Sequence, residues 1–144
     1  MIRLATKKDM PQILRMGESF FNASGYSDIT TFNKEDTETL VEVLIEKETL
    51  LTDGKSAILG FLVFPVFMNT SCIVAQELFW WVDEDARSSG VGIKILKSAE
   101  AEAKKQGATT MMMLSIKDLD GEKINKLYER LGYSEREQTF MRLL

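Results

Sequence analysis

The chain has 144 residues, 44% of them hydrophobic and 28% charged, with a formal net charge of −4. That length suits a single domain over residues 1–144 with one ordinary core, and the composition is that of a globular protein. The acidic balance argues against a nucleic-acid partner, and no apolar run reaches the ~18 residues that would cross a membrane.

The longest apolar run, Ala57 to Met68, is broken by Gly60 and Pro65. Met1 to Leu4 enters a strand pattern directly, without the basic and apolar segments of a signal peptide, so the expected location is the cytoplasm. There is no histidine, and Cys72 is the one cysteine. Triads with a histidine base, most zinc sites, thiolate metal clusters and an internal disulfide are thereby excluded, and no metal is expected. Any chemistry falls to carboxylates, hydroxyls, backbone amides or a cofactor.

Ile2 to Ala5 reads as a short first strand. Thr6 or Asp9 can cap the helix that follows, with Pro11 in its first turn and Met10, Ile13, Leu14, Met16, Phe20 and Phe21 on one face. Asn22 to Thr31 reads as a loop. Asn33 caps a second helix, with Glu35 and Asp36 at its positive end and Leu40, Val41, Leu44 and Ile45 as its buried stripe. Thr49 to Thr52 is a strand, and Asp53-Gly54 turns it into a long one from Ser56 to about Met68. Pro65 predicts a bulge or an unpaired edge position. Asn69 to Ser71 is the expected next turn, and Cys72 to Val82 the next strand.

The stretch Leu78 to Gly92 then passes from large apolar residues through Asp83-Glu84-Asp85 to Gly90-Val91-Gly92. A helix follows, with Val91, Ile95, Leu96, Ala99 and Ala103 on one face and Gly107 at its end. Strand, glycine turn and helix in that order leave free N–H groups at a helix start, where an anion is stabilised. Thr109 to Ile116 is expected as a strand covered on both faces, Asp118 to Leu131 as a last helix, and Thr139 to Leu143 as a final strand.

This order of elements resembles the GNAT acyltransferase superfamily, whose members move an acetyl group from acetyl-CoA to an amine. Arg87-Ser88-Ser89-Gly90-Val91-Gly92 matches the family's Q/R-x-x-G-x-G/A pyrophosphate motif, and Trp80-Trp81-Val82 stands at its usual strand end. Asn125-x-x-Tyr128-x-x-x-Gly132-Tyr133 is similar to its asparagine and tyrosine helix before a Gly-Phe/Tyr pair. The resemblance implies an α/β (α+β) fold with a mixed, mostly antiparallel sheet of six to seven strands flanked by about four helices. It implies acetyl-CoA as donor, held by backbone N–H groups from Arg87 through Ser88, Ser89, Gly90, Val91 and Gly92, with charge from the Arg87 side chain. Trp80 and Val82 would pair with the pantetheine amides, and Asn125 would contact the pantetheine or its neighbouring loop.

By the same resemblance Tyr128 would protonate the departing thiolate, on the helix face it shares with Asn125. Glu77 stands near where some members carry a basic carboxylate. A glutamate on so apolar a strand is desolvated, which raises its pKa toward a range useful to a base. Glu18 or a water chain are the other candidates for that role. Asp83, Glu84 and Asp85 would repel the donor if they faced it, so they are expected to point outward. The acceptor is an amine, on a small molecule or a protein, bound between Phe20 to Thr31 and the hairpin near Phe64 to Thr70. A homodimer is left open. Cys72, at the start of a strand, is read as structural rather than as an acetyl carrier. The alternative reading is a catalytically silent module of the same fold that binds the acyl-CoA.

Overall fold

A computed structural model describes residues 1–144. The first segment, β1 (Arg3–Leu4), leads through a 3-10 turn at Lys7–Asp9 into α1 (Met10–Ala23). Neither candidate capping residue makes a side-chain cap bond to α1 itself; Asp9 instead reaches back from the helix start. Asp9 accepts from the Thr6 N–H at 2.8 Å and from both Arg3 terminal nitrogens at 2.8 Å, which ties β1 to the helix start. Asn33 caps α2 (Lys34–Glu46) by accepting the Asp36 N–H at 3.0 Å. Val41 and Leu44 are buried as the helical period demands, but Leu40 lies at the flank of the stripe and is 37% exposed.

Three antiparallel strands follow: β2 (Leu50–Thr52), β3 (Ala57–Val66) and β4 (Asn69–Val82). The β2–β3 turn closes on the Asp53 carboxylate, which accepts N–H groups from Lys55, Ser56 and Ala57 at 2.7 to 2.9 Å. The β3–β4 turn falls at Phe67–Met68 rather than at Asn69 to Ser71. Asn69 already pairs with Val66, and its side chain bonds Ser71 from within the strand. The predicted irregularity at Pro65 is present as a register shift between Pro65 and Val66. Then come α3 (Val91–Lys105), β5 (Thr110–Met112) and α4 (Gly121–Arg130).

The sheet order is β1-β2-β3-β4-β5, and only the β4–β5 pair is parallel. The apolar residues of α1 and α2 pack on one face, where Ile13, Met16, Val41 and Leu44 meet Leu50, Ile58 and Trp81. Those of α3 and α4 pack on the other, where Ile95, Leu96, Ala99, Ala103 and Tyr128 meet Leu59, Phe61 and Ala75. This is the expected α/β class with its four helices, but with five strands instead of six or seven. Residues 139–143 form no strand, and Phe140 and Leu143 stand 90% and 71% exposed. A strand needs an edge to pair with, and β5 offers three residues of ladder. The last helix starts at Gly121, three residues later than expected, because Asp120 adopts φ +52° and cannot sit inside a helix. No helix is long and apolar enough to cross a membrane.

Candidate active site

The site grows from two irregularities in β4. On the β3 side, Gly60 pairs with Phe79 and Phe61 with Glu77, so Leu78 is an extra residue, a β-bulge. The bulge turns Leu78 and Phe79 onto the α1 face together, while Glu77 and Trp80 point to the α3 and α4 face. Gly60 makes it possible: a Cβ there would lie 2.7 Å from the Phe79 ring. On the other side, the parallel ladder runs Val74 with Thr110, Ala75 with Met111 and Gln76 with Met112, and then stops. Beyond it the two strands part. Leu114 donates its N–H to Glu77 Oε2 at 2.8 Å, and its carbonyl accepts from the Tyr128 hydroxyl at 2.7 Å.

Glu77 is 4% exposed and has no cationic partner, so it is not the lysine-paired edge residue that a strand glutamate often is. Burial pushes its pKa up to about 7, against the opposing pull of the Leu114 N–H and the nearby Tyr128 hydroxyl. Tyr128 is raised above the ordinary tyrosine value, first by burial and then by the Glu77 charge, and its single proton goes to the Leu114 carbonyl. Its ring packs 6.1 Å from Trp80 and 5.5 Å from Tyr133, whose hydroxyl donates to Glu100 at 2.6 Å. The buried Trp80 Nε1 has no hydrogen-bond partner. Its edge of the indole faces the start of α3, since a Cβ on Gly92 would lie 3.4 Å from Trp80 Cζ2.

The backbone of β4 past the bulge is arranged for pairing. The Asp83 N–H donates to the Ser56 carbonyl, so by antiparallel alternation Trp81 turns its backbone groups to β3 and Trp80 and Val82 turn theirs into the gap. The Val82 carbonyl is met there by Arg87 Nε at 3.1 Å. Residues 84–89 form a 3-10 turn, and Gly90, at φ +81°, starts α3 without a side-chain cap of its own. That backbone is open to glycine at little cost, and nothing lies within 4 Å of where a Cβ would stand. Ser89 Oγ accepts the Val91 N–H at 3.3 Å, which leaves Gly92 and Ile93 in the first turn of α3 as donors beside the gap.

Three expectations change. The Arg87 side chain does not face the helix start; it lies 4.9 Å over the Trp81 ring and 3.9 Å from Asp120, drawn by the Val82 carbonyl and the aromatic face. Asn125 is exposed and Tyr128 buried, because Tyr128 sits at the centre of the inward stripe of α4 and Asn125 lies outside it. The acidic run is not uniformly turned to solvent: Asp83 pairs with Arg15 at 2.7 Å and accepts from Trp81 Nε1 at 2.9 Å, fastening α1 to the end of β4. Arg15 and Trp81 hold its pKa below the usual carboxylate value. Sequence reasoning had no means of finding that pair, since Arg15 lies 68 residues away.

A cavity of about 320 Å³ opens on the α1 face of the strand end, lined by Ala23, Trp81, Glu84, Arg87, Asp118, Leu119 and Asp120. Ala23 brings the expected end of α1 to it. The hairpin at Phe64 to Thr70 does not reach it, because Val66–Asn69 is the opposite end of the β3–β4 pair from Val82. Cys72 sits toward that far end, with Sγ 3.6 Å from Thr109 Oγ1, and Glu18 is exposed on α1.

Residues 13–133 match the model of the acetyltransferase (GNAT) family. The chain belongs to this family. Solved structures of similar fold include an aminoglycoside antibiotic 6'-N-acetyltransferase from Acinetobacter haemolyticus, with TM-score 0.70, 17% identity and coverage of 100% of this chain and 97% of that one. A ribosomal-protein-alanine N-acetyltransferase from Brucella melitensis biovar Abortus gives 0.71, 16%, 100% and 99%. A predicted acetyltransferase from Clostridium acetobutylicum, solved with acetyl-CoA, gives 0.72, 14%, 99% and 95%. No curated protein matches the sequence. GNAT folds bind acetyl-CoA, and the residues present suit such a donor. A gap lined by unpaired strand backbone accepts an amide-bearing chain, and a glycine-started helix accepts a pyrophosphate.

Proposed function

We propose that this GNAT protein is an acetyl-CoA-dependent N-acetyltransferase that moves the acetyl group to a primary amine by direct attack in a ternary complex. The observation that carries the reading is the β4–β5 gap. Trp80 and Val82 turn their backbone groups into it, with only the Val82 carbonyl met by a side chain, that of Arg87; Tyr128 stands on its α4 side, and the glycine turn of α3 lies at its end. Acetyl-CoA, when bound, supplies an activated thioester carbonyl. The backbone of Trp80 and Val82 pairs with the pantetheine amides. The turn Ser88-Ser89-Gly90 brings the pyrophosphate to the start of α3, where the Gly92 and Ile93 N–H groups hold it, joined by Val91 once its N–H leaves Ser89 Oγ and helped by the dipole of α3. Arg87 joins them only by leaving Val82. Asn125, on the exposed side of α4, is the outermost candidate contact.

For the chemistry, the amine nitrogen bonds to the acetyl carbon as the carbon–sulfur bond breaks. Tyr128, whose raised pKa keeps it protonated through neutral pH, gives its proton to the thiolate by turning it from the Leu114 carbonyl. Glu77, pushed up to about 7, is a carboxylate able to hold the proton released by the amine. The acidic lining of the cavity, Glu84, Asp118 and Asp120 against one arginine, suits a cationic acceptor.

The test is thiol release from acetyl-CoA over a panel of primary amines. Turnover with at least one amine is expected, and kcat at saturating donor falls at least tenfold in Tyr128→Phe. Donor binding with no release by any amine would instead identify a silent binding module. An unchanged kcat in the variant would remove Tyr128 from the chemistry.

A further inference from the structure

In a parallel pair the hydrogen bonds recur evenly along the strands. The β4–β5 ladder has every local reason to continue past Gln76 and Met112, because each further step would pair two groups that are otherwise orphaned. It does not continue. The next backbone donor of the β5 side, the Leu114 N–H, is taken by Glu77 Oε2, and the next acceptor, the Leu114 carbonyl, by the Tyr128 hydroxyl. Both Leu114 groups are thus satisfied by side chains, which removes the drive to zip the strands together.

Paired strands lie about 4.8 Å apart, so an extended chain inserted between two of them needs roughly twice that spacing. Side chains reaching across from Glu77 and Tyr128 set such a spacing, and backbone pairing would abolish it. A carboxylate also carries a cost at this position, being 4% exposed with no cation beside it. The bulge at Leu78 turns β4 but leaves the Leu114 N–H without a partner; Glu77 is the group that answers it.

We infer that Glu77 is a positioning residue for the acyl donor: its side chain, acting as a hydrogen-bond acceptor for Leu114, wedges β4 from β5 and keeps the donor gap open. This rests on the gap being the donor site, and is separate from any part Glu77 plays as a base. The wedge needs an acceptor oxygen, not a negative charge. Glutamine keeps that oxygen in the same place and alanine does not.

The experiment is calorimetric titration of the full chain with CoA, for the native protein, Glu77→Gln and Glu77→Ala. Glu77→Gln is expected to bind CoA within about threefold of native, and Glu77→Ala at least tenfold more weakly. If Glu77→Ala does not fold, Glu77→Met, which fills the space without an acceptor, replaces it. Native-like affinity in the alanine or methionine variant overturns the inference. So does a tenfold loss in Glu77→Gln, which would make the charge the operative feature. The kcat of Glu77→Gln distinguishes the other role. A large fall with CoA affinity kept supports both wedge and base, whereas an unchanged kcat ends the base reading and leaves the wedge standing. Failure of the native protein to bind CoA ends both.

Discussion

The buried Glu77 makes stability depend on pH in a direction opposite to the other shifted carboxylates. Its carboxyl is raised from an ordinary 4.5 to about 7 by burial. Between those values the folded protein holds a proton that the unfolded chain releases, so stability falls as pH rises through the window. At about 1.36 kcal/mol per pH unit, the whole interval is worth about 3 kcal/mol at most, essentially complete by about pH 8. Asp9, Asp53 and Asp83 are lowered instead, so their contributions are present above their ordinary 3.8 and lost only as pH falls below it. They have finished titrating where Glu77 begins. Thermal melts of the native protein and Glu77→Gln, from about pH 4.5 to about pH 8, isolate the effect, since glutamine keeps the shape and the Leu114 bond without the titration. The native Tm should fall relative to that of the variant as pH rises. At about 2–4 °C per kcal/mol for a domain near this size, the relative change is about 6–12 °C. Parallel Tm curves for the two proteins would refute the reasoning.

Three glycines give further outcomes. Gly60→Ala places a Cβ 2.7 Å from the Phe79 ring and 3.1 Å from Leu44 Cδ1, so it should destabilise by about 1–3 kcal/mol through overpacking, read from a denaturant melt. Because Phe79 is held against the bulge, CoA affinity should drop in the same variant. Gly90→Val forces a β-branched residue into φ +81° at the start of α3 and should weaken CoA binding at least tenfold in calorimetry. Gly107→Ala, equally left-handed at φ +89° but at the far end of α3, should leave CoA affinity unchanged.

The helices, the Asp53-Gly54 turn and the glycine turn before α3 were legible in the sequence because their causes are local. A 3.6-residue stripe such as Ile95, Leu96, Ala99 and Ala103, a capping Asn33, or a positive-φ Gly90 acts within a few residues of itself. Tyr128 and Glu77 could be singled out by type and position, but their common partner could not. Leu114 lies 37 residues from Glu77, and the bond exists only because β5 stops pairing there. The extra Leu78 depends on Gly60 of the neighbouring strand, and the direction of Arg87 on an aromatic face and a carbonyl that the fold brings beneath it. The expected strand at 139–143 failed for the converse reason, since its alternation is local but the edge it needs is not. Side-chain pattern determined where the helices lie and where the chain turns at Asp53 and Gly90, but not the extent of β5, which is a strand over Thr110–Met112 alone. The packing of β4, β5 and α4 alone decided that the strands part beyond Gln76, because parting requires groups distant in sequence to satisfy the same two backbone atoms of Leu114.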